Sequence, residues 1–216
     1  MHFEKPIEAH KAFYKGEHRA KNYDRYMLGQ KNWKKWKNPT LPDDEIEKLF
    51  RFIRSWDRFF QGDPNIFQKI YEEIYPIIEK LKHERIEDVD FTNEELKTTI
   101  RDVFDKVADC TLIGRYESTD ASKILHTILP KFFVMWDDAI KNCTVQGRRD
   151  GATYAFDFLP KVHLELAEAI ETCMLERQLN YTEAVKYIRQ KTGWQTLAKL
   201  ADEYNYMKYT MRYPSL

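Results

Sequence analysis

The sequence predicts an all-α protein, and three observations carry that prediction. Apolar residues recur three and four positions apart along most of the chain. Acidic, amide or hydroxyl side chains stand where those runs begin, as helix caps do. Only 7 Gly and 8 Pro punctuate the 216 residues, too few for a protein of strands and turns. No stretch alternates apolar and polar residues with a period of two, so no hairpin is expected.

The elements follow in order. Pro42-Asp43-Asp44-Glu45 opens a helix whose acidic first turn suits the helix dipole. Ile46, Leu49, Phe50, Ile53, Trp56 and Phe60 form its inward face, and Gly62 ends it. Asp63-Pro64 starts the next, with Ile66, Phe67, Ile70, Ile74, Ile77, Ile78 and Leu81 on one side and a kink expected at Pro76. Thr92-Asn93-Glu94-Glu95 caps a third, with Leu96, Ile100, Phe104 and Val107 inward. Ser118 or Thr119 caps a short helix through Ile128, and Asp137 to Cys143 forms another. Ala152 to Leu179 is the longest, with a break expected at Pro160. Thr182 caps a helix through Gln190, Gln195 opens one through Tyr204, and the tyrosine-rich tail from Tyr204 to Leu216 is expected to pack back on the body. The whole chain, 1–216, reads as one helical domain without internal repeats.

Bulk composition narrows the function classes. Hydrophobic residues make up 43% and charged residues 32%, the balance of an ordinary globular protein and not of a disordered one. The first thirty residues are charged and lack the apolar centre of a signal peptide, and no stretch approaches the roughly 18 apolar residues of a membrane span. Cys110, Cys143 and Cys173 have no CxxC spacing, so the expectation is a reduced, cytoplasmic protein with no zinc site or iron–sulfur cluster. Glu79 and His83 lie one helical turn apart but find no third metal ligand in the sequence. No cofactor is expected and no membrane partner.

Net charge is zero, but it is unevenly spread. Residues 1–40 carry 10 Lys/Arg against 4 Asp/Glu, and residues 41–120 carry 12 against 20. Within the basic part, Lys31 to Lys37 interleaves Trp33 and Trp36 with four lysines, Lys34 and Lys35 among them. Such a stretch suits a nucleic-acid backbone with stacking or a wedge into a duplex. It equally suits an amphipathic segment that docks both tryptophans on the body and leaves the lysines in water.

The chemistry concentrates between residues 112 and 143. A turn at Gly114-Arg115-Tyr116-Glu117 leads into the short helix of Ala121-Ser122-Lys123-Ile124-Leu125. An apolar approach, Phe132 to Trp136, then delivers Asp137 and Asp138 to a helix start. A carboxylate there is held ionised by the helix dipole and by free backbone N–H groups. A reaction that builds positive charge on a sugar needs such a group. The bland reading of the same pair is a helix cap with a first-turn acid.

This arrangement resembles the helix-hairpin-helix DNA glycosylase superfamily, in which a glycine-containing hairpin and helix are followed by an aspartate at the start of the next helix. The resemblance is carried by Ala121 to Leu125 and by Phe133-Val134-Met135-Trp136-Asp137-Asp138-Ala139-Ile140, and covers residues 112–143. It implies two closely packed helical lobes with a cleft at Asp137. It further implies base excision from double-stranded DNA, with the target base rotated out of the stack into a pocket. Asp137, with Asp138 second, would be the catalytic carboxylate. Trp136 and Tyr116 would wall the base, with His126 nearby. Gly114, Arg115, Thr119, Lys123, Arg148 and Arg149 would meet the DNA.

Two departures matter. The family's hairpin has two glycines around an apolar residue, and here Gly114 stands alone. Members with lyase activity carry a lysine where Thr119 stands, so the resemblance implies hydrolysis only. Lys123, one turn on, is expected to face elsewhere. Core positions are the simpler reading for Trp136, and a hydrogen-bonded structural role for His126 and His163. Against the enzyme stands a non-catalytic helical protein that binds nucleic acid or another protein.

Overall fold

A computed structural model describes the chain except residues 17, 30–35, 37, 112, 113, 147, 149, 194 and 215, with backbone alone at 18, 19, 28 and 29. Its helices are α1 (Glu4–Gly16), α2 (His18–Gly29), α3 (Asp43–Trp56), α4 (Pro64–Leu81), α5 (Glu94–Ala108), α6 (Ser118–Ile128), α7 (Asp138–Thr144), α8 (Gly151–Thr153), α9 (Leu159–Arg177), α10 (Tyr181–Lys191) and α11 (Leu197–Asn205). The protein is all-α. Among the described residues the one strand-like pairing is an isolated antiparallel bridge between Gly62 and Thr111, and no helix is long and apolar enough to cross a membrane.

The caps explain where most helices start. Asp63 accepts from the Ile66 N–H at 2.8 Å and Asn93 from Leu96 at 3.1 Å. Helix α10 starts one residue before the expected Thr182. Asn180 is the cap, and its side chain and that of Glu183 each bond the other's backbone N–H at 3.0 Å. Thr196, not Gln195, caps α11. Helix α4 continues past Pro76, whose ring lies on the exposed side.

The expected break at Pro160 is also absent. Tyr154–Phe158 winds as a wider π turn between α8 and α9, with the Leu159 N–H reaching back to Tyr154 O. The wider turn removes the contact in which a proline ring meets the carbonyl four residues back, so the axis continues. A second π turn, Tyr206–Thr210, extends α11.

Helices α1 and α2, within the basic part of the sequence, dock on the body. Pro6, Ile7, Ala9 and Phe13 are buried from α1. Gln195 donates to the Tyr14 hydroxyl at 2.9 Å, and Tyr14 donates to Asp24 at 2.8 Å. Helix α1 packs along α11, which brings the two ends of the described chain together.

Helix α6 is the middle of the structure. Every residue from Asp120 to Ile128 is buried, and α3 and α5 pack against it. One apolar cluster runs through the molecule from Phe3 to Ala201, and a small second one gathers Ala9, Phe13, Ala20, Tyr204 and Met207.

Candidate active-site cleft

After α6 the chain turns at Phe132 and then runs through the interior to Trp136, with no strand beside it among the described residues. Buried backbone groups left unpaired would each cost about 1–3 kcal/mol. Side chains take the place of a strand partner. The Tyr154 hydroxyl donates to Val134 O at 2.6 Å and accepts from Val134 N at 3.1 Å. Ser122 Oγ accepts from Trp136 N at 3.1 Å. His126 Nδ1 donates to Phe133 O at 2.7 Å. The connection is thereby fixed, and what it delivers to the surface is Asp137.

Asp137 is the N-cap of α7. Its Oδ1 accepts from Ile140 N at 2.9 Å, and its Oδ2 accepts from the Thr210 hydroxyl at 2.6 Å. Thr210 arrives from the other end of the sequence on the π turn after α11. The carboxylate is therefore held at both oxygens in one orientation. It is half-buried in the wall of a cleft of about 370 Å³, within the range of roughly 300–1,000 Å³ typical of small-molecule sites. Phe13, Trp56 and Tyr206 supply aromatic surface to this cleft, and Asp57, Lys123, Asp138 and Asp202 its charge.

The predicted residues separate into three groups. Asp137, Asp138, Trp136, Thr119 and Lys123 all line the cleft. Asp138 is largely exposed and pairs with Lys141 Nζ at 2.9 Å. Trp136 reaches the cleft only by its edge. It is 1% exposed, its ring N–H donates to Ser118 O at 3.0 Å, and Phe104, Tyr154 and Phe158 surround it. Lys123 was expected to face away. It faces the cleft because Asp120, buried one turn earlier, draws its ammonium in at 2.8 Å, with Asp57 at 4.0 Å. Burial pushes the Asp120 carboxyl up, and its Oδ2 has no hydrogen-bond partner among the described residues.

The second group lies elsewhere. His126 is fully buried and sits in the core. Beside its bond to Phe133, its Nε2 meets the Tyr23 hydroxyl at 2.9 Å, and burial lowers its pKa to about 3. The ring is neutral and structural. His163 is likewise bonded, to Ile86 O at 2.8 Å. Tyr116 bonds Asp105 and the Gly151 N–H, which ties its turn to α5 and α8 and keeps its ring out of the cleft lining. Gly114 does adopt the left-handed conformation a tight turn demands, at φ 60°. Arg115 is exposed and pairs with Glu117 at 3.0 Å, and Arg148 is exposed. Trp36 is buried against Tyr71 and lines a separate hollow of about 440 Å³ with Lys82 and Lys131. Trp33, Lys34, Lys35 and Arg149 fall outside the described residues.

Four participants were not read from the sequence. Thr210 and Asp202 come from the tail and α11, more than sixty residues from Asp137. Lys141 is buried, and its Nζ donates to Thr119 Oγ1 at 2.7 Å and to Ser118 Oγ at 3.1 Å. The two hydroxyls expected to cap α6 therefore receive Lys141, and Glu117 stands at the cap position without a capping bond from its side chain. Phe59 is the fourth. It is 66% exposed, two residues beyond Asp57, with the Arg58 guanidinium 4.7 Å over its ring. Nothing in the sequence separates Phe59 from the inward-facing Phe60 beside it, because its exposure appears only in the fold.

Behind the cleft, α11 carries a buried ionic network. Lys199 Nζ bonds Asp202 Oδ2 at 2.6 Å and lies 3.6 Å from Glu203 Oε1. His10 meets the other Glu203 oxygen at 2.7 Å. The rings of Tyr23 and Phe13 lie 4.5 and 4.7 Å from the ammonium. Burial is the main reason the Asp202 carboxyl stands at about 6, with repulsion from Glu203 and Asp137 adding to it and Lys199 opposing. Among the described residues no group of three or more His, Cys, Asp or Glu is arranged to hold a metal ion. Comparison with protein-family models, with curated proteins and with solved structures finds no match to this chain.

Proposed function

We propose that this protein is a monofunctional DNA glycosylase that hydrolyses the N-glycosidic bond of a damaged or modified base, in repair or in defence against modified phage DNA. The observation that carries the reading is Asp137. Its carboxylate is fixed by an α7 N–H and the Thr210 hydroxyl in the wall of a cleft with aromatic surface.

As the C1′–N bond breaks, its electron pair leaves with the base and positive charge develops on the sugar. A fixed carboxylate stabilises that charge without reorganising at the moment of reaction, and contributions of this kind reach about 10²–10³ in rate. Trp56 and Tyr206 offer surface for a flipped base to stack on. The carboxylates of the cleft repel phosphate, so the backbone would be held outside it by exposed cations such as Arg58, Arg115 and Arg148, with the exposed Phe59 as the wedge. Thr119 cannot form a Schiff base, and Lys123 Nζ is engaged by Asp120 at 2.8 Å. The product is therefore an abasic site and not a nicked strand. Two closely packed lobes around the cleft, as in the helix-hairpin-helix glycosylases, belong to the same proposal.

The test is incubation of the protein with duplexes carrying uracil, alkylated, oxidised, hydroxymethylated or glucosylated bases, followed by alkali. Alkali-dependent breaks at one lesion are expected. Retention of intact DNA on every panel would replace the enzyme with a binding protein, and no retention would leave a helical interaction protein.

A further inference from the structure

We infer that Asp202 is a second catalytic carboxylate of the cleft, the base that takes the proton from the attacking water. This rests on the glycosylase reading and adds the proton acceptor that Asp137 is poorly placed to be. Both Asp137 oxygens already accept short hydrogen bonds, from Ile140 N and Thr210 Oγ1. That holds the carboxylate in one orientation, with each oxygen already engaged by a protein donor.

Asp202 stands differently. It lines the same cleft from α11, the opposite end of the sequence. Its ion-pair partner Lys199 is fully buried and shared with Glu203, whose side chain is also fully buried. One ammonium stands between two carboxylates, and His10, on the other Glu203 oxygen at 2.7 Å, serves Glu203 and not Asp202. Uptake of a proton by Asp202 relieves the crowding of two carboxylates on one ammonium. Buried polar groups without such a role are normally balanced.

The ionisable groups around the site are Lys199 and Glu203 on α11, Tyr206 just after it, His10 on α1, Tyr23 on α2, Lys123 and His126 on α6, Asp57 after α3, Asp137 before α7 and Asp138 on it. Of these, Lys199 favours the ionised Asp202, and Glu203 and Asp137 oppose it. A pair of carboxylates held in unlike environments is how one site assigns an ion stabiliser and a base. In the step itself, the water oxygen bonds to C1′ as the C1′–N bond breaks. The electron pair leaves on the base nitrogen, and the water proton passes to Asp202, which returns it to the departing base or to solvent. Water and the glycosidic bond are consumed and an abasic sugar and a free base appear, with no other reactant.

The experiment measures single-turnover base excision by the full chain from pH 5 to 8, for wild type, Asp202→Asn and Asp202→Glu, on the duplex the wild type cleaves. Asp202→Asn leaves Lys199 paired with Glu203 at balanced charge, so folding is expected and is checked by circular dichroism. A fall in wild-type rate below about pH 6 is expected. Asp202→Asn should be about 10²–10³-fold slower with that limb gone, and Asp202→Glu should recover part of the rate with the limb moved. A rate for Asp202→Asn within twofold of wild type, limb intact, overturns the inference and leaves the glycosylase reading standing. Should Asp202→Asn not fold, an Asp202→Glu variant with unchanged rate and profile overturns it equally. A wild type that excises nothing removes the glycosylase reading, and this inference with it.

Discussion

Substituting His126 by Gln should change how stability depends on pH, by an amount the burial of the ring fixes. In the folded chain the ring is neutral down to about pH 3, against an ordinary value of 6.5. Its Nδ1–H bonds Phe133 O and its Nε2 takes the Tyr23 hydroxyl, so no room is left for a second ring proton. The unfolded chain binds that proton below about pH 6.5, and the folded chain does not. Stability from this group is thus complete above the unfolded value and is lost as pH falls towards the folded one. At about 1.4 kcal/mol per pH unit, the loss between pH 7 and pH 5 is roughly 2 kcal/mol. Asp202 acts in the opposite sense, because its folded value is raised to about 6. As pH falls through that value it returns about 1.4 kcal/mol by pH 5, and the other buried carboxyls whose values are raised act in the same sense, so the wild-type trend alone does not report the histidine. The difference between wild type and His126→Gln isolates the histidine. Urea unfolding at pH 7 and pH 5, followed by tryptophan fluorescence, should show the wild-type advantage shrinking by about 2 kcal/mol. An advantage that stays constant between the two pH values would refute the buried, neutral ring.

Three further predictions concern the cleft. Thr210→Val removes the hydroxyl on Asp137 Oδ2 and keeps the shape. A hydrogen bond to a charged group is worth about 1.5–3 kcal/mol, so base excision should slow about 10–100-fold with little change in unfolding midpoint, and an unchanged rate would deny that Thr210 orients Asp137. Lys141→Met cuts the tie from α7 to the two α6 hydroxyls. It should cost about 1–3 kcal/mol in urea unfolding, and a variant as stable as wild type would mean that Lys141 does not join these helices. Phe59→Ala removes an exposed ring, so stability should stay within about 0.5 kcal/mol. Excision from duplex should fall at least tenfold while excision from single strands is kept, and equal losses on both would remove the wedge.

Most of the fold was legible because local chemistry and tertiary packing agree in it. The inward faces of α3, α4 and α5 follow the three–four spacing of residues such as Ile46, Phe50 and Ile53, and Asp63 and Asn93 cap where their chemistry says they should. Helices α1 and α2 were missed because their charge was more conspicuous than the four residues that α1 buries. Caps failed where a distant side chain competed. Ser118 and Thr119 receive Lys141, a partner more than twenty residues away. Pro160 failed as a breaker because the chain before it could widen into a π turn.

The site was legible only along its own segment. Asp137 after an apolar run at a helix start is a local pattern, and the sequence carries it whole. Thr210, Asp202 and Phe13 reach the cleft only once α11 lies against α1 and its last turn against α7. No spacing in one dimension encodes that meeting. His126 illustrates the converse, since nothing near it in sequence names Tyr23 as the partner that keeps it in the core.

The most direct measurement compares wild type with Asp137→Asn in alkali-revealed base excision on the lesion duplex the wild type cleaves, under single-turnover conditions. The variant keeps the α7 cap through its side-chain oxygen and loses the negative charge. A fall of about 10²–10³-fold with unchanged duplex binding and folding is the result predicted for a carboxylate that stabilises charge at C1′. An Asp137→Asn protein that still forms abasic sites at the wild-type rate would contradict the account at its centre.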